Sequence, residues 1–271
     1  DIGPDASIMR IVAGDRWDRA RTSPLAGPGV DVAVGDRILA VNGQPVSPEQ
    51  PVSSLLSALG GHEVQLTLAR ADTPPRAVTV RTLRSEWAAR YRQWVADNRC
   101  YVHEASGGRL GYIHIPNMGP EGFGEFHRGF LLEYDRPGLV VDARFNRGGR
   151  VSSLLLEKLT RRRIGYDVPR RGAAIPYPFE SPRGPMVALT NEYCGSDGDI
   201  FSHAWRELGL GPLVGMRSWG GVVGIWPRHR LADGSVTSQP EFAFWFHGPE
   251  WGVENYGVDP DTVVDISPTD H

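Results

Sequence analysis

Ser196 stands inside "TNEYCGSDGDIF", Thr190 to Phe201. The preceding "MVALT" reads as a short buried strand, and Ile200, Phe201, Ala204, Trp205 and Leu208 then recur at helical spacing. The hydroxyl therefore falls on a strand-to-helix turn, where Gly195 and Gly198 permit a tight backbone. A helix start offers unpaired N–H groups and the positive end of the dipole. Attack by Ser196 on a carbonyl would leave the oxyanion beside the amide of Asp197. Serine and aspartate are equally the preferred caps of ordinary helices, so the local pattern supports both a nucleophile and a cap. A second stretch, "GLVVDARFNRGGR" from Gly138 to Arg150, reads as a buried strand running into Asn146, Arg147, Gly148 and Gly149. Paired glycines allow a backbone to approach a bound group closely and could supply a second oxyanion donor. An ordinary turn explains them as well.

Elements on both sides must position these residues. From Ser85, "SEWAARYRQWVADNRCYV" predicts a helix capped by Ser85, with Trp87, Tyr91, Trp94 and Val95 on one face. After it, "GRLGYIHIP", "GLVVDARFN", "MVALT" and "PLVGM" are strand candidates, with helical segments between several of them. Near-continuous apolar strands alternating with helices predict an α/β layer with a largely parallel sheet. Before Ser85 the chain is β-rich: "SIMRIVAG", "DRILAVNGQPV", "EVQLTLAR" and "AVTVRTL" are strand-like. The Asn-Gly of "VNGQ" suits a tight hairpin, and "SPEQPVSSLLSALGG" predicts one short helix ending at Gly60 and Gly61. The expected division is 1–84 and 85–271.

The order of these pieces carries a resemblance. "GDRILAVNGQPV", followed by a helix and two strands, resembles a PDZ domain as found in bacterial-type proteases, a class that binds peptide ends by strand addition. "GRLGYIHIPNMG", "GLVVDARFNRGG", "EKLTRRRIGYDVPRRG", "TNEYCGSDGDIF", "WGGVVGI", "PEFAFWF" and "WGVENYGVDPD" resemble the C-terminal part of the tricorn family of cytosolic serine peptidases, in order and over nearly the whole chain. The resemblance implies an α/β fold with a β-rich part: an N-terminal PDZ-like domain, then a crotonase-like catalytic subdomain. It implies Ser196 as nucleophile, with Gly149 and Asp197 donating N–H groups to the oxyanion. Glu254 would belong to the network that orients a histidine. Asp167 would reach from a neighbouring subunit to face a basic side chain before the scissile bond. The physics of the residues agrees: a carboxylate can stabilise an imidazolium, and a desolvated one attracts Arg or Lys. Each also has a plain explanation, Glu254 as a turn acid and Asp167 as an ion-pair partner of Arg170 or Arg171.

A serine nucleophile needs a base. In the tricorn family the histidine lies upstream of the PDZ-like domain, and this sequence opens at that domain with "DIGPDAS" and no initiator Met, as if processed or cut from a longer chain. The single lysine, Lys158, lies in "LLLEKLT", unlike the dyad lysine of the C-terminal-processing peptidases. His103 and His114 flank the first strand of the α/β part, and His203 lies two helical turns past Ser196 on another face. His62, His229 and His247 are no better placed. The expectation is a peptidase acting on oligopeptides once an upstream histidine completes it. A peptide-binding or assembly module with an unactivated serine is the alternative, and an acyl-CoA enzyme on a crotonase-like core has no distinct sequence support.

Composition narrows the remaining classes. Of 271 residues, 29 are basic and 32 acidic, for a net charge of −3, with no basic stripe suited to nucleic acid. No apolar run approaches the ~18–20 residues of a bilayer span, and no signal-like start is visible. Cys100 and Cys194 are the only cysteines, which suits a reducing cytoplasm. "GLGPLVG" has the wrong spacing for a dinucleotide fingerprint and follows a helix. "DGD" lacks the other ligands of a calcium loop, and no Cys/His cluster has zinc spacing. Neither metal nor cofactor is expected, and an oligomer is expected of the full-length protein.

Overall fold

Asn42 and Gly43 both take positive φ, 51° and 78°, the combination a two-residue hairpin turn requires. They join β1 (Arg37–Val41) to β2 (Gln44–Pro45) in the computed structural model, which describes residues 1–15, 18–226 and 229–266. β3 (Glu63–Arg70) and β4 (Thr73–Arg81) complete an antiparallel sheet in the order β2-β1-β3-β4. Its alternating inward residues Ile38, Val64, Leu66, Leu68 and Val80 bury a core with Ile8 and Val52. Asp36, 1% exposed, accepts from Arg70 and Arg76 and from the Ala33 N–H, which fixes the entry to β1.

Three expectations here need correction. "SIMRIVAG" makes only single bridges, Ile2 to Ile8 and Ser7 to Arg37, and no strand. Helix α1 is one turn, Val52–Leu55, because Ala58 enters the left-handed region at φ 62° and stops it short of Gly60. α2 (Trp87–Ala105) forms, and Ser85 Oγ accepts from the Trp87 N–H, but the buried residues are Ala89 and Arg92 while Trp87 is 64% exposed. A small residue lets the helix pack closely there, and the Arg92 guanidinium approaches buried Asp15 at 3.7 Å. Contacts along the chain group Asp1–Asp97 and Asn98–His271 as two units, divided within α2.

The second unit is built on a five-stranded, all-parallel sheet in the order β15-β10-β9-β6-β5. β5 (Leu110–His114) leads through α3 (Pro120–Glu133) to β6 (Gly138–Asp142), which is buried at every residue, as the continuous apolar run requires. α4 (Ser152–Leu159) and a small hairpin of β7 (Gly165–Asp167) and β8 (Ile175–Tyr177) lead to β9 (Met186–Thr190), then α5 (Asp197–Glu207) and β10 (Leu213–Gly215). Short pairs follow, β11 (Gly224–Ile225) with β14 (Pro240–Phe242) and β12 (His229–Arg230) with β13 (Val236–Thr237), before β15 (Thr262–Val263) closes the far edge. Phe126, Phe130, Leu155, Phe201 and Trp205 cover the sheet. No described helix is long and apolar enough to cross a membrane.

Candidate active site

β6 and β9 are adjacent and parallel, so the loops that leave their carboxyl ends emerge side by side. The first carries Asn146 to Arg150 and the second carries Asn191 to Ser196. Asn146 joins them: its C=O accepts from the Gly195 N–H at 3.0 Å, its Oδ1 accepts from the Gly148 N–H at 2.9 Å, and its Nδ2 donates to Ile115 C=O at 2.8 Å. Asn191 Oδ1 adds a bond from the Phe145 N–H at 2.9 Å. Fit is tight, since a Cβ on Gly148 would lie 2.5 Å from Ser196 Cβ.

Ser196 is the N-cap of α5 with φ 56° and ψ −120°, yet its hydroxyl makes no cap hydrogen bond. A non-glycine residue there is strained, as on the sharp turns that present a nucleophilic serine. Asp199 holds a neighbouring loop. Its carboxylate, fully buried at the third helical position, accepts from the Gly220 and Gly221 N–H groups at 2.9 and 3.2 Å. Burial raises its pKa above the ordinary carboxylate value, against these donors. The bond that a capping box would make to Oγ does not form.

Two main-chain amides beside Ser196 are unpaired. Among the described residues the Asp197 N–H, first in its helix, meets no acceptor. Neither does the Gly149 N–H, because the parallel bridge to Met118 uses Gly148 C=O and the Arg150 N–H on either side of it. The Asp197 side chain points elsewhere, accepting from the Ser152 N–H at 3.1 Å and from the Ser152 hydroxyl, and so ties the start of α4 to the start of α5.

Ser196, Gly149, Asp197 and Glu254 line one cavity of about 560 Å³. Its walls are Ile200, Trp219, Val222, Ile225, Trp226, Phe242 and Phe244, with Arg150 at the side. Glu254 Oε2 accepts from the Val222 and Val223 N–H groups at 2.7 and 2.9 Å, which fixes the carboxylate against the strap that Asp199 also holds. Asp167 does not line the cavity: it lies exposed on β7, opposite Ile175, and makes no ion pair with Arg170 or Arg171 among the described residues. No described histidine lines it either. His203 packs its ring 4.4 Å from that of Phe246, His114 is buried with Nε2 against Arg144 C=O, and His103 pairs with Glu133. Lys158 is bound to Glu180. Burial pushes the Cys194 thiol up to about 12, so this sulfur beside the turn is a packing group. No cluster of three metal-ligating side chains occurs among the described residues.

Sequence reasoning gave no role to Asn146 or Asp199, and the strap from Trp219 to Val223 entered only as a stretch of the family resemblance. "SDGD" carried a signal for one of them, a serine followed three residues later by an acid.

Comparison with known proteins gives concordant results. Residues 109–264 match the model of peptidase family S41, and residues 4–85 match the tricorn protease PDZ domain. The tricorn protease of Thermoplasma volcanium is 48% identical over 261 residues, 96% of this chain and 25% of that protein. Tricorn protease homolog 1 of Streptomyces coelicolor is 50% identical over 265 residues, 97% of this chain and 25% of the relative. A crystal structure of the tricorn protease superposes with a TM-score of 0.93 at 48% identity, covering 97% of this chain and 26% of that one. The chain spans about a quarter of the length of these relatives.

Proposed function

The chain belongs to peptidase family S41, and from that premise we propose that it carries the nucleophile and oxyanion hole of a serine peptidase acting on oligopeptides. Ser196 Oγ attacks the scissile carbonyl, the oxyanion settles between the Gly149 and Asp197 N–H groups, and water releases the acyl-enzyme. The observation that carries this reading is the uncapped hydroxyl of a strained Ser196 on a cavity shared with two unpaired amides. Glu254, held by two N–H groups, has Oε1 left to orient the imidazole of a general base. That base is a histidine from an upstream segment. Asp167 acts in a neighbouring subunit of an oligomer, against a basic side chain, which its exposure on the β7–β8 hairpin permits. The division 1–84 and 85–271, with the first part a peptide-binding module, and a cytoplasmic location belong to the same reading.

The test is hydrolysis of a fluorogenic peptide with Arg before the cleaved bond, by this chain and by a version extended upstream. Activity with the extension that vanishes in Ser196→Ala supports the proposal. A folded, assembled, extended protein inert on varied peptides supports the non-catalytic peptide-binding alternative, and full activity of the short chain overturns the account of the base.

A further inference from the structure

Three charged side chains line the Ser196 cavity, and two of them already accept hydrogen bonds from the protein. Asp197 accepts from Ser152 through both oxygens, and Glu254 holds two N–H groups through Oε2. Arg150 is different. Its guanidinium carbon stands 4.4 Å from the ring centre of Trp226 and 5.4 Å from that of Phe242, and those rings meet edge to face at 6.4 Å. Among the described residues no carboxylate lies within 4.0 Å of its nitrogens. Its backbone is fixed as firmly as its head, because the Arg150 N–H donates to Met118 C=O at 2.6 Å, next to the free N–H of Gly149.

This arrangement has a chemical preference. Stacking on aromatic faces engages the flat side of a guanidinium and leaves its in-plane N–H edge free. That edge forms paired hydrogen bonds with a carboxylate. The apolar walls on either side strengthen the attraction relative to open water. An arginine there for packing alone would gain more from a counter-ion, and both nearby acids are turned to other donors.

We propose that Arg150 is a specificity residue that binds a carboxylate of the peptide occupying the Ser196 cavity. The inference rests on the peptidase reading for its ligand class and adds a subsite to it. An acidic side chain and a peptide C-terminus present the same group, so the test separates them.

Binding is read in the Ser196→Ala chain by fluorescence anisotropy, which keeps recognition apart from chemistry. Three labelled peptides of equal length are compared: one with an acidic side chain and an amidated end, one neutral with a free C-terminus, and one neutral and amidated. At least one carboxylate peptide should bind about tenfold tighter than the neutral amidated peptide, and which one identifies the source. The preference should shrink as salt is raised from low to physiological, and disappear in Arg150→Met, which keeps an apolar stem against Trp226. Arg150→Lys should retain part of it. A preference that survives Arg150→Met, equal binding of all three, or no binding of any overturns the proposal. Equal binding alongside hydrolysis by the extended protein leaves the peptidase reading intact. Arg150-dependent selectivity in a protein that never hydrolyses peptide sinks that reading and keeps this one.

Discussion

A backbone at φ 56° and ψ −120° costs Ser196 on the order of 1–3 kcal/mol, and glycine adopts such angles without that cost. Ser196→Gly should therefore raise stability by about 1 kcal/mol. Ser196→Ala should change it by less than about 0.5 kcal/mol, because no cap bond is lost. Were the hydroxyl a true cap, alanine would cost about 1 kcal/mol. Urea unfolding of the three proteins separates these cases, and a destabilised alanine variant would contradict the geometry. Both substitutions should abolish peptide hydrolysis in the extended protein while leaving it folded. At this scale the sequence revealed the turn but not its outcome. Small residues between a strand and a helical period located Ser196, and the same letters suit a capping box. Whether that box forms depends on the direction of one hydroxyl, set by backbone angles that no local pattern encodes. Glu254 was legible only through the family resemblance, since a carboxylate in a loop declares nothing until the N–H groups of Val222 and Val223 close on it.

Elements converge for a reason the sequence does carry. Strands buried on both faces read as unbroken apolar runs, so β5, β6, β9 and β10 were each expected near their observed bounds, and adjacent parallel strands bring their trailing loops together. Amphipathic packing was less legible. The expected face of α2 followed its large aromatics, whereas close packing selected Ala89, and Arg92 buried beside Asp15. The pairs β7–β8, β11–β14 and β12–β13 passed unnoticed because two- or three-residue strands show no period. Within the strap from Ser218 to Val223, Gly220 and Gly221 are held by one side chain on α5. Asp199→Asn retains the size of that side chain but replaces a carboxylate oxygen with an NH2 group that cannot accept from N–H donors. Buried donors left unpaired should cost about 2–3 kcal/mol. Amide exchange at Gly220 and Gly221 should accelerate far more than in β6. Unchanged protection at those two glycines would show that the strap is held some other way.

The two units should answer acid at different pH. In the second, burial holds the His114 imidazole below its usual value near 6.5, a larger effect than the attraction of Asp142 that opposes it. The folded state thus prefers the neutral ring. As pH falls below about 6.5 the unfolded chain takes up this proton first, and stability declines by at most about 1.4 kcal/mol per pH unit from this group. In the first unit, hydrogen bonds from Arg70 hold Asp36 well below the ordinary carboxylate range, with burial opposing and Arg76 assisting. That contribution is fully present above about pH 5 and is lost only as the pH drops through about 4 and below. Urea unfolding of the whole chain at pH 7, 5.5 and 3.5, each sampled by a brief isotope-exchange pulse at one fixed pH, resolves the units separately. Between pH 7 and 5.5 residues of β5 and β6 should lose stability while β1 and β3 hold, and His114→Gln should shrink that early decline to the part carried by His203, whose imidazole burial also holds below its usual value. Asp36→Asn should instead weaken β1 and β3 at neutral pH by about 1–3 kcal/mol, because two guanidinium groups lose a buried acceptor while keeping Asp31, and should flatten their response at pH 3.5. Early acid loss in β1 and β3 would reverse the assignment, since no depressed carboxylate can act above its own unfolded pKa.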